Sequence, residues 1–216
     1  MKTIFWNVDT QYDFMRSDGK LYVQGAEQIE GNLARLTQLA ESRRIKVVNT
    51  ADWHNKDSEE LSDKPDFVHT FPEHCMQDTY GAGFIPATYP YLLSDKEPYI
   101  VDWKKKKFDR HDRKGVLASR SIILHKDKFD IFAGNPHADR VVELLAPERA
   151  VVYGVATNVC VDCAVRGLLE RKVQVYVPLD AIKEIPALPL PYDTWKSKGA
   201  ILTTTDEIYK ILGGRK

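Results

Sequence analysis

Cys160 is the residue best placed for nucleophilic chemistry, because it follows an apolar, strand-like run and begins a helix-like segment. A thiol at a helix N-terminus lies near the positive end of the helix dipole, which favours the thiolate. It also lies beside backbone N–H groups that can bind an oxyanion. Cys163 lies further along the same segment without this advantage, and packing is expected for it. This arrangement suits attack of a cysteine sulfur on a carbonyl carbon.

Two ionisable residues end other apolar runs. Asp9 follows residues 3–8, and Lys126 follows residues 121–125. A cysteine hydrolase needs a base, so Asp9 is expected to accept the thiol proton and later deliver it to the leaving amine. Lys126 is expected to stabilise the thiolate and the carboxylate electrostatically. Because ligands bind beyond the carboxyl ends of parallel strands, we expect these two residues to meet Cys160 there.

Asp52, His54 and His74 form a second candidate group. The D-x-H spacing sets two ligand types two residues apart in a loop after a strand-like run, and a later histidine supplies a third. Nitrogen and oxygen ligands of this kind suit zinc, iron or manganese. Exposed histidines near aspartates are the alternative interpretation of the same spacing.

The elements that position these residues alternate between apolar runs and helical patterns. Strands are predicted at 3–8, 45–50, 121–125, 150–154 and 173–177, and helices at about 26–43, 138–145, 159–170 and 205–212, the last capped by Thr203 or Thr204. This alternation predicts an α/β fold in three layers, α/β/α, with a doubly wound, mostly parallel sheet.

Residues 1–216 are expected to form a single domain. The periodicity disappears between about residues 85 and 120, where prolines and a run of four lysines occur. Because the sheet pattern resumes afterwards, this segment is interpreted as an insertion or lid.

Composition excludes several classes of function. Lys+Arg and Asp+Glu are equal at 31 each, so nothing in the charge favours a nucleic acid or an anionic membrane as partner. No leader peptide is expected, and no apolar run is long enough to span a bilayer. Three cysteines are too few for a disulfide scaffold, so the cytoplasm is the expected location.

Four motifs together resemble the isochorismatase-like cysteine hydrolases. NVDTQYDF at 7–14 resembles the opening signature, GVATNVCV at 154–161 the nucleophile motif, KDKFDIF at 126–132 the lysine motif, and GAILTTT at 199–205 the closing segment. Asp130 replaces the usual serine of the lysine motif. The resemblance covers most of the chain outside 85–120 and implies the fold predicted above.

The resemblance implies a catalytic triad of Asp9, Lys126 and Cys160. Cys160 is the nucleophile, Asp9 the general base and then acid, and Lys126 stabilises the thiolate. It also implies an oxyanion hole formed by the backbone N–H groups of Ala156 and Cys160, with a cis peptide bond just before the alanine.

Within that superfamily, two motifs are similar to those of nicotinamidases, ADWH at 51–54 and FPEHC at 71–75. The similarity implies a divalent metal ion, with zinc expected and iron or manganese as alternatives, that holds the pyridine nitrogen of nicotinamide. The implied ligands are Asp52, His54, His74 and Glu60, with Glu59, Asp63 and His69 as alternatives for the fourth, and the implied ring contacts are Phe14 and Phe71.

The leading hypothesis is therefore an amidase that converts nicotinamide to nicotinate and ammonia through a thioester at Cys160. The alternative is another amidase or ureide hydrolase with the same triad, with or without a metal. A third hypothesis is a non-catalytic binding protein on the same fold, which the complete triad disfavours. A small-molecule amide is the expected partner, and the resemblance implies a homo-oligomer.

Overall fold

Eight strands and eight helices occur among residues 1–93 and 97–213, which the computed structural model describes. They are β1 (Thr3–Val8), α1 (Tyr12–Met15), α2 (Glu30–Ser42), β2 (Lys46–Asp52), β3 (Tyr99–Val101), α3 (Arg110–Ala118), β4 (Ser121–Lys126), α4 (Ile131–Gly134), α5 (Ala138–Leu145), β5 (Arg149–Val155), α6 (Cys160–Glu170), β6 (Gln174–Pro178), β7 (Ile182–Lys183), α7 (Tyr192–Ser197), β8 (Ile201–Thr203) and α8 (Thr205–Gly213).

The strands form one sheet in the order β3-β4-β2-β1-β5-β6-β8, with β7 beside β5, and every pairing is parallel. The chain winds outwards in both directions from β1, which pairs with β2 on one side and β5 on the other. Ligand sites in such sheets lie beyond the carboxyl ends of the strands where the winding reverses.

Helices cover both sides of the sheet, so the predicted three-layer, doubly wound fold is confirmed. α2 and α8 contact each other, whereas α5 contacts α3 and α4, and α4 contacts α6. The central strands are buried almost throughout, which explains why their sequences are continuous apolar runs instead of alternating ones. Thr204 caps α8 as expected, since its hydroxyl accepts from the Glu207 N–H at 3.3 Å.

The segment 85–120 differs from the irregular insertion that was expected. Residues 94–96 lie outside the described part of the chain, but β3 pairs in parallel with β4, and α3 packs against α5. Asp109 caps α3 by accepting from the N–H groups of His111 and Asp112. Lys105, from the lysine run, pairs with the buried Asp112 carboxylate at 2.6 Å. Much of this segment is therefore part of the α/β architecture.

Within the described ranges, no helix is both long enough and apolar enough to cross a membrane.

Gly154 is required for the close approach of β5 to β1. Its φ is 120°, a left-handed value that side-chain-bearing residues rarely adopt, and a Cβ there would overlap the Val8 carbonyl. Gly31, by contrast, lies within α2 with open space where a Cβ would be.

We therefore expect Gly154→Ala to lower the free energy of unfolding by about 2 kcal/mol or more, since the strain and the overlap cannot be relieved together. The matched control, Gly31→Ala, is expected to raise it by about 0.5–1 kcal/mol, because alanine favours the helix. Urea unfolding followed by circular dichroism measures the free energy of unfolding of both variants. A Gly154→Ala variant with the same free energy of unfolding as the wild type would contradict the close approach of β5 to β1.

Candidate active site

Four chemically capable residues lie at the carboxyl edge of the sheet. Asp9 follows β1, Asp52 ends β2, Lys126 ends β4, and Cys160 begins α6 after β5. Asp52 and Lys126 are direct register partners in the β2–β4 pair. The parallel register thus places these four side chains in one cluster, although they are separated by up to about 150 positions in the chain.

The Lys126 ammonium lies at the centre of the cluster. Its Nζ is 3.0 Å from Asp9 Oδ2 and 3.9 Å from Cys160 Sγ, and it also pairs with Asp52 Oδ1. Burial alone would lower the pKa of Lys126, but the Asp52 and Asp9 carboxylates raise it well above its ordinary value. The lysine is therefore a fixed positive charge.

Asp9 is held in place by both its backbone and its side chain. Its N–H donates to the Thr50 carbonyl at 3.2 Å, and the Thr50 hydroxyl donates to Asp9 Oδ1 at 2.6 Å. The φ of Asp9 is 47°, in the left-handed region. Burial raises the pKa of Asp9, and Lys126 opposes this effect only in part. The carboxylate consequently has the increased proton affinity that a general base requires.

Cys160 is buried at the first position of α6. Burial raises the pKa of its thiol well above the ordinary value, and the Asp9 and Asp52 charges add to this, whereas Lys126 opposes it. The helix terminus alone predicts a thiolate, but that expectation omitted the cost of burying the charge. These effects favour the protonated thiol beside the Asp9 carboxylate.

The residues expected to form an oxyanion hole lie next to this thiol. The peptide bond between Val155 and Ala156 is cis, as the resemblance implies. Ala156 and Cys160 both line the same cavity. The Cys160 N–H is the first of α6 and has no acceptor within the helix, so it is free for a substrate oxygen.

Asp52, His54 and His74 are brought together as predicted, with ligand atoms within 4.8 Å of one another. Asp52 Oδ2 lies 3.8 Å from His54 Nε2 and 3.5 Å from His74 Nε2. His74 Nδ1 is 2.7 Å from the Pro72 carbonyl, and donation there leaves Nε2 with its lone pair.

The ring of His54 is fully buried, yet neither of its nitrogens has a hydrogen-bond partner. An unsatisfied buried polar group costs about 1–3 kcal/mol. A divalent cation between His54, His74 and Asp52 would satisfy one of the two orphaned nitrogens of His54, and the three ligands are of suitable type, so these residues fit a metal.

Glu60 is the buried member of the candidates for a fourth ligand. Both of its carboxylate oxygens face the Phe129 N–H, at 2.8 and 3.1 Å, and burial raises its pKa to about 7. Glu59 is exposed and lies 3.4 Å from Lys128, and Asp63 and His69 are exposed. Glu60 lines the cavity without belonging to the three-residue group, and its role as a ligand stays a prediction.

The cluster opens into a cavity of about 450 Å³ with mostly apolar walls. Phe14 and Phe71 line it as expected, with ring centroids 5.5 and 6.2 Å from that of His74. Other walls come from residues 21–23, 67–68 and 129, from the end of β5 and the first turns of α6, and from Ile185, Ala187 and Leu188. No described residue of 85–120 lines the cavity, so the cover expected from that segment is supplied by other loops.

Three positioning residues were not assigned from the sequence. The Gln11 side chain accepts from the Asp52 N–H and donates to the Asp52 carbonyl, both at 2.8 Å. Asp13 accepts from the Cys75 N–H at 2.7 Å, next to His74. Asn158 bonds the backbone of Ile185 and Leu188, which holds that wall of the cavity. The D-x-Q-x-D signature itself marks the first two.

Comparisons with known proteins agree with this geometry. Residues 111–207 match the Isochorismatase domain family. A nicotinamidase of Saccharomyces cerevisiae is 26% identical over 207 residues, covering 86% of this chain and 89% of the yeast protein.

Two solved structures share the fold. An isochorismatase-like hydrolase from Alkaliphilus metalliredigens superposes with a TM-score of 0.67 at 20% identity, over 98% of this chain and 99% of the other. The pyrazinamidase of Pyrococcus horikoshii in complex with zinc gives a TM-score of 0.69 at 20% identity, over 94% and 99%. Together, the family match, the yeast relative and the shared fold support the resemblance of this chain to isochorismatase-like hydrolases and, among them, to nicotinamidases.

Proposed function

We propose that this chain is an amidase that hydrolyses nicotinamide to nicotinate and ammonia through a thioester at Cys160. The observation that carries the proposal is the position of Asp52, whose two oxygens face different groups. One oxygen pairs with Lys126 beside the thiol, and the other faces His54 and His74. A nucleophile and a metal-ligand group therefore adjoin one apolar cavity, as hydrolysis of a small heteroaromatic amide requires.

In the proposed reaction, Asp9 accepts the Cys160 proton as the sulfur attacks the amide carbon. The buried ammonium of Lys126 keeps the local charge balanced while the proton moves. The N–H groups of Ala156 and Cys160 are assigned to the carbonyl oxygen as it becomes negative. Asp9 then gives this proton to the leaving amide nitrogen, which departs as ammonia. Water, activated by the same carboxylate, hydrolyses the thioester, and the released Cys160 sulfur recovers its proton from Asp9.

Asp52, His54 and His74 are assigned as the ligands of a divalent metal, with Glu60 proposed as the fourth. A bound ion would supply a Lewis acid for a ring nitrogen of the substrate. Phe14 and Phe71 restrict the ring between them. The cytoplasmic location and the homo-oligomeric state remain predictions.

The role of Cys160 is tested by replacing its sulfur. Cys160→Ala is expected to lower kcat by on the order of 10⁴-fold or more, because it removes the sulfur that forms the acyl intermediate. Ammonia release measures the loss, and an unchanged thermal unfolding transition shows that the fold is intact. Retained turnover in a folded Cys160→Ala protein would refute the nucleophile assignment.

The metal assignment is tested with two histidines from the same region of the chain. His54→Ala is expected to lose the metal found by elemental analysis of the purified protein and to lower nicotinamide turnover, because it removes a buried ligand. The control is His69→Ala. Because His69 is exposed, this variant is expected to keep both its metal content and its nicotinamide turnover. Equal metal content in the two variants would exclude the proposed ligand set.

Substrate identity is tested with a matched pair of amides. Nicotinamide is expected to have a kcat/KM at least about tenfold higher than benzamide, which has the same shape without the ring nitrogen. Chelation of the metal is expected to reduce this preference. Equal rates for the two amides would favour the other amidase or ureide hydrolase with the same triad.

A further inference from the structure

Cys163 is a thiol that the proposed reaction does not use. It lies three residues after Cys160 in α6, and both side chains line the cavity while each is only 8% exposed. Any small molecule that enters the cavity to reach Cys160 also comes within reach of Cys163. The third cysteine, Cys75, is fully buried, faces the Gly81 carbonyl and is absent from the cavity walls.

The two cavity cysteines form a C-x-x-C sequence at the N-terminus of a helix in the β5-α6-β6 unit. This placement is typical of redox-active cysteine pairs. Residues three apart lie on one face of a helix, and the helical rise and radius place their Cα atoms about 5 Å apart, which is within the range of Cα separations that disulfides span. Cys160 is the first residue of α6, and Val159 before it has non-helical torsions (φ −130°, ψ −98°), so no preceding turn restricts its side chain.

We propose that Cys160 and Cys163 form a reversible disulfide when an organic or inorganic hydroperoxide enters the cavity. Cys163 is then the resolving thiol, which prevents irreversible oxidation of Cys160. This inference takes the reactive thiol from the proposed function, but it does not depend on which amide is hydrolysed.

The first step uses the arrangement that the amidase reaction uses. Asp9 accepts the Cys160 proton, and the sulfur attacks the terminal peroxide oxygen, so that an S–O bond forms as the O–O bond breaks. The sulfur loses two electrons to the peroxide, which leaves as an alcohol or as water after taking up the proton.

In the second step Cys163 attacks the sulfenic sulfur. The S–S bond forms as the S–O bond breaks, and the departing hydroxide takes the Cys163 proton to leave as water. Arg166 Nη2 lies 3.7 Å from Cys163 Sγ and favours the attacking thiolate. Asp162, 3.1 Å from Arg166 Nε, offsets part of this charge, and burial raises the pKa of Cys163 to about 11. The second step is therefore expected to be the slower one.

The test uses a convenient feature of the sequence. Trypsin cleaves after Arg149 and Arg166, so peptide 150–166 contains both cavity cysteines and excludes Cys75. The reduced full-length protein is treated with a small excess of hydrogen peroxide, and its free thiols are alkylated. After tryptic digestion, the mass of peptide 150–166 is measured by mass spectrometry. The expected product is unalkylated and about 2 Da lighter than the dithiol form, and dithiothreitol restores both thiols.

Cys163→Ser and Cys163→Ala provide the comparison, each judged against its own activity before treatment. Both are expected to accumulate Cys160 forms about 32 or 48 Da heavier, and to recover at least about tenfold less activity after reduction than the wild type. Serine is polar and alanine is apolar, but both lack the thiol. A result that the two variants share is therefore due to the loss of the thiol and not to a disturbance of packing.

A wild-type peptide that carries oxygen on Cys160 while Cys163 is alkylated would overturn the proposal. So would a wild-type pair that stays reduced, or equal recovery of activity in all three proteins. Because the mass of peptide 150–166 does not depend on turnover, a disulfide in a protein that hydrolyses no amide would refute the proposed function alone.

Discussion

The buried ammonium of Lys126 is the charge on which the active-site end of the sheet depends. Its side chain is almost completely excluded from solvent, and burying an unpaired ammonium costs several kcal/mol. The Asp9 carboxylate at 3.0 Å and the Asp52 carboxylate offset that cost. Because the three residues end β1, β2 and β4, the register of these strands is energetically coupled to the ion pairs. A shift in the register of either the β1–β2 or the β2–β4 strand pair would leave a charge unpaired in the interior.

The charges of this cluster also explain its relation to the proposed metal. Asp9 and Asp52 carry two negative charges against the one positive charge of Lys126, so the cluster has an excess negative charge while Cys160 is protonated. Part of that negative charge lies on Asp52 Oδ2, which faces His54 and His74. A divalent cation there would compensate this charge and would also satisfy one of the two orphaned nitrogens of His54.

Burial has opposite consequences for the proposed base and the proposed nucleophile. It raises the pKa of Asp9, which makes that carboxylate a better proton acceptor, and it raises the pKa of Cys160, which favours the protonated thiol. The attacking sulfur therefore arises together with proton transfer to Asp9, and the two groups titrate as a set. The charge of Lys126 limits the rise for both groups, so its removal would affect base and nucleophile together.

The candidate site residues and the order of the main strands and helices could be predicted from the sequence, because they depend on local sequence patterns. Continuous apolar runs mark the central strands, and Asp9, Lys126 and Cys160 stand directly after such runs. The elements that were missed lack these patterns: β3 and β8 have three residues each and β7 has two. α3 buries only Asp112 and Val116, so its helical period is not visible in the apolar residues.

Only the tertiary structure decided which partners each of these residues contacts and which residues form the cavity around them. The sequence indicated Asp52 as a metal ligand, but its pairing with Lys126 depends on the β2–β4 register, across 74 positions of the chain. The cavity walls include residues 67–68, Ile185 and Leu188 but no described residue of 85–120, since distant loops converge only when the sheet is complete. The pKa of Cys160 likewise follows from burial, because desolvation is a property of the packed site, whereas its position at a helix N-terminus was already determined by the sequence.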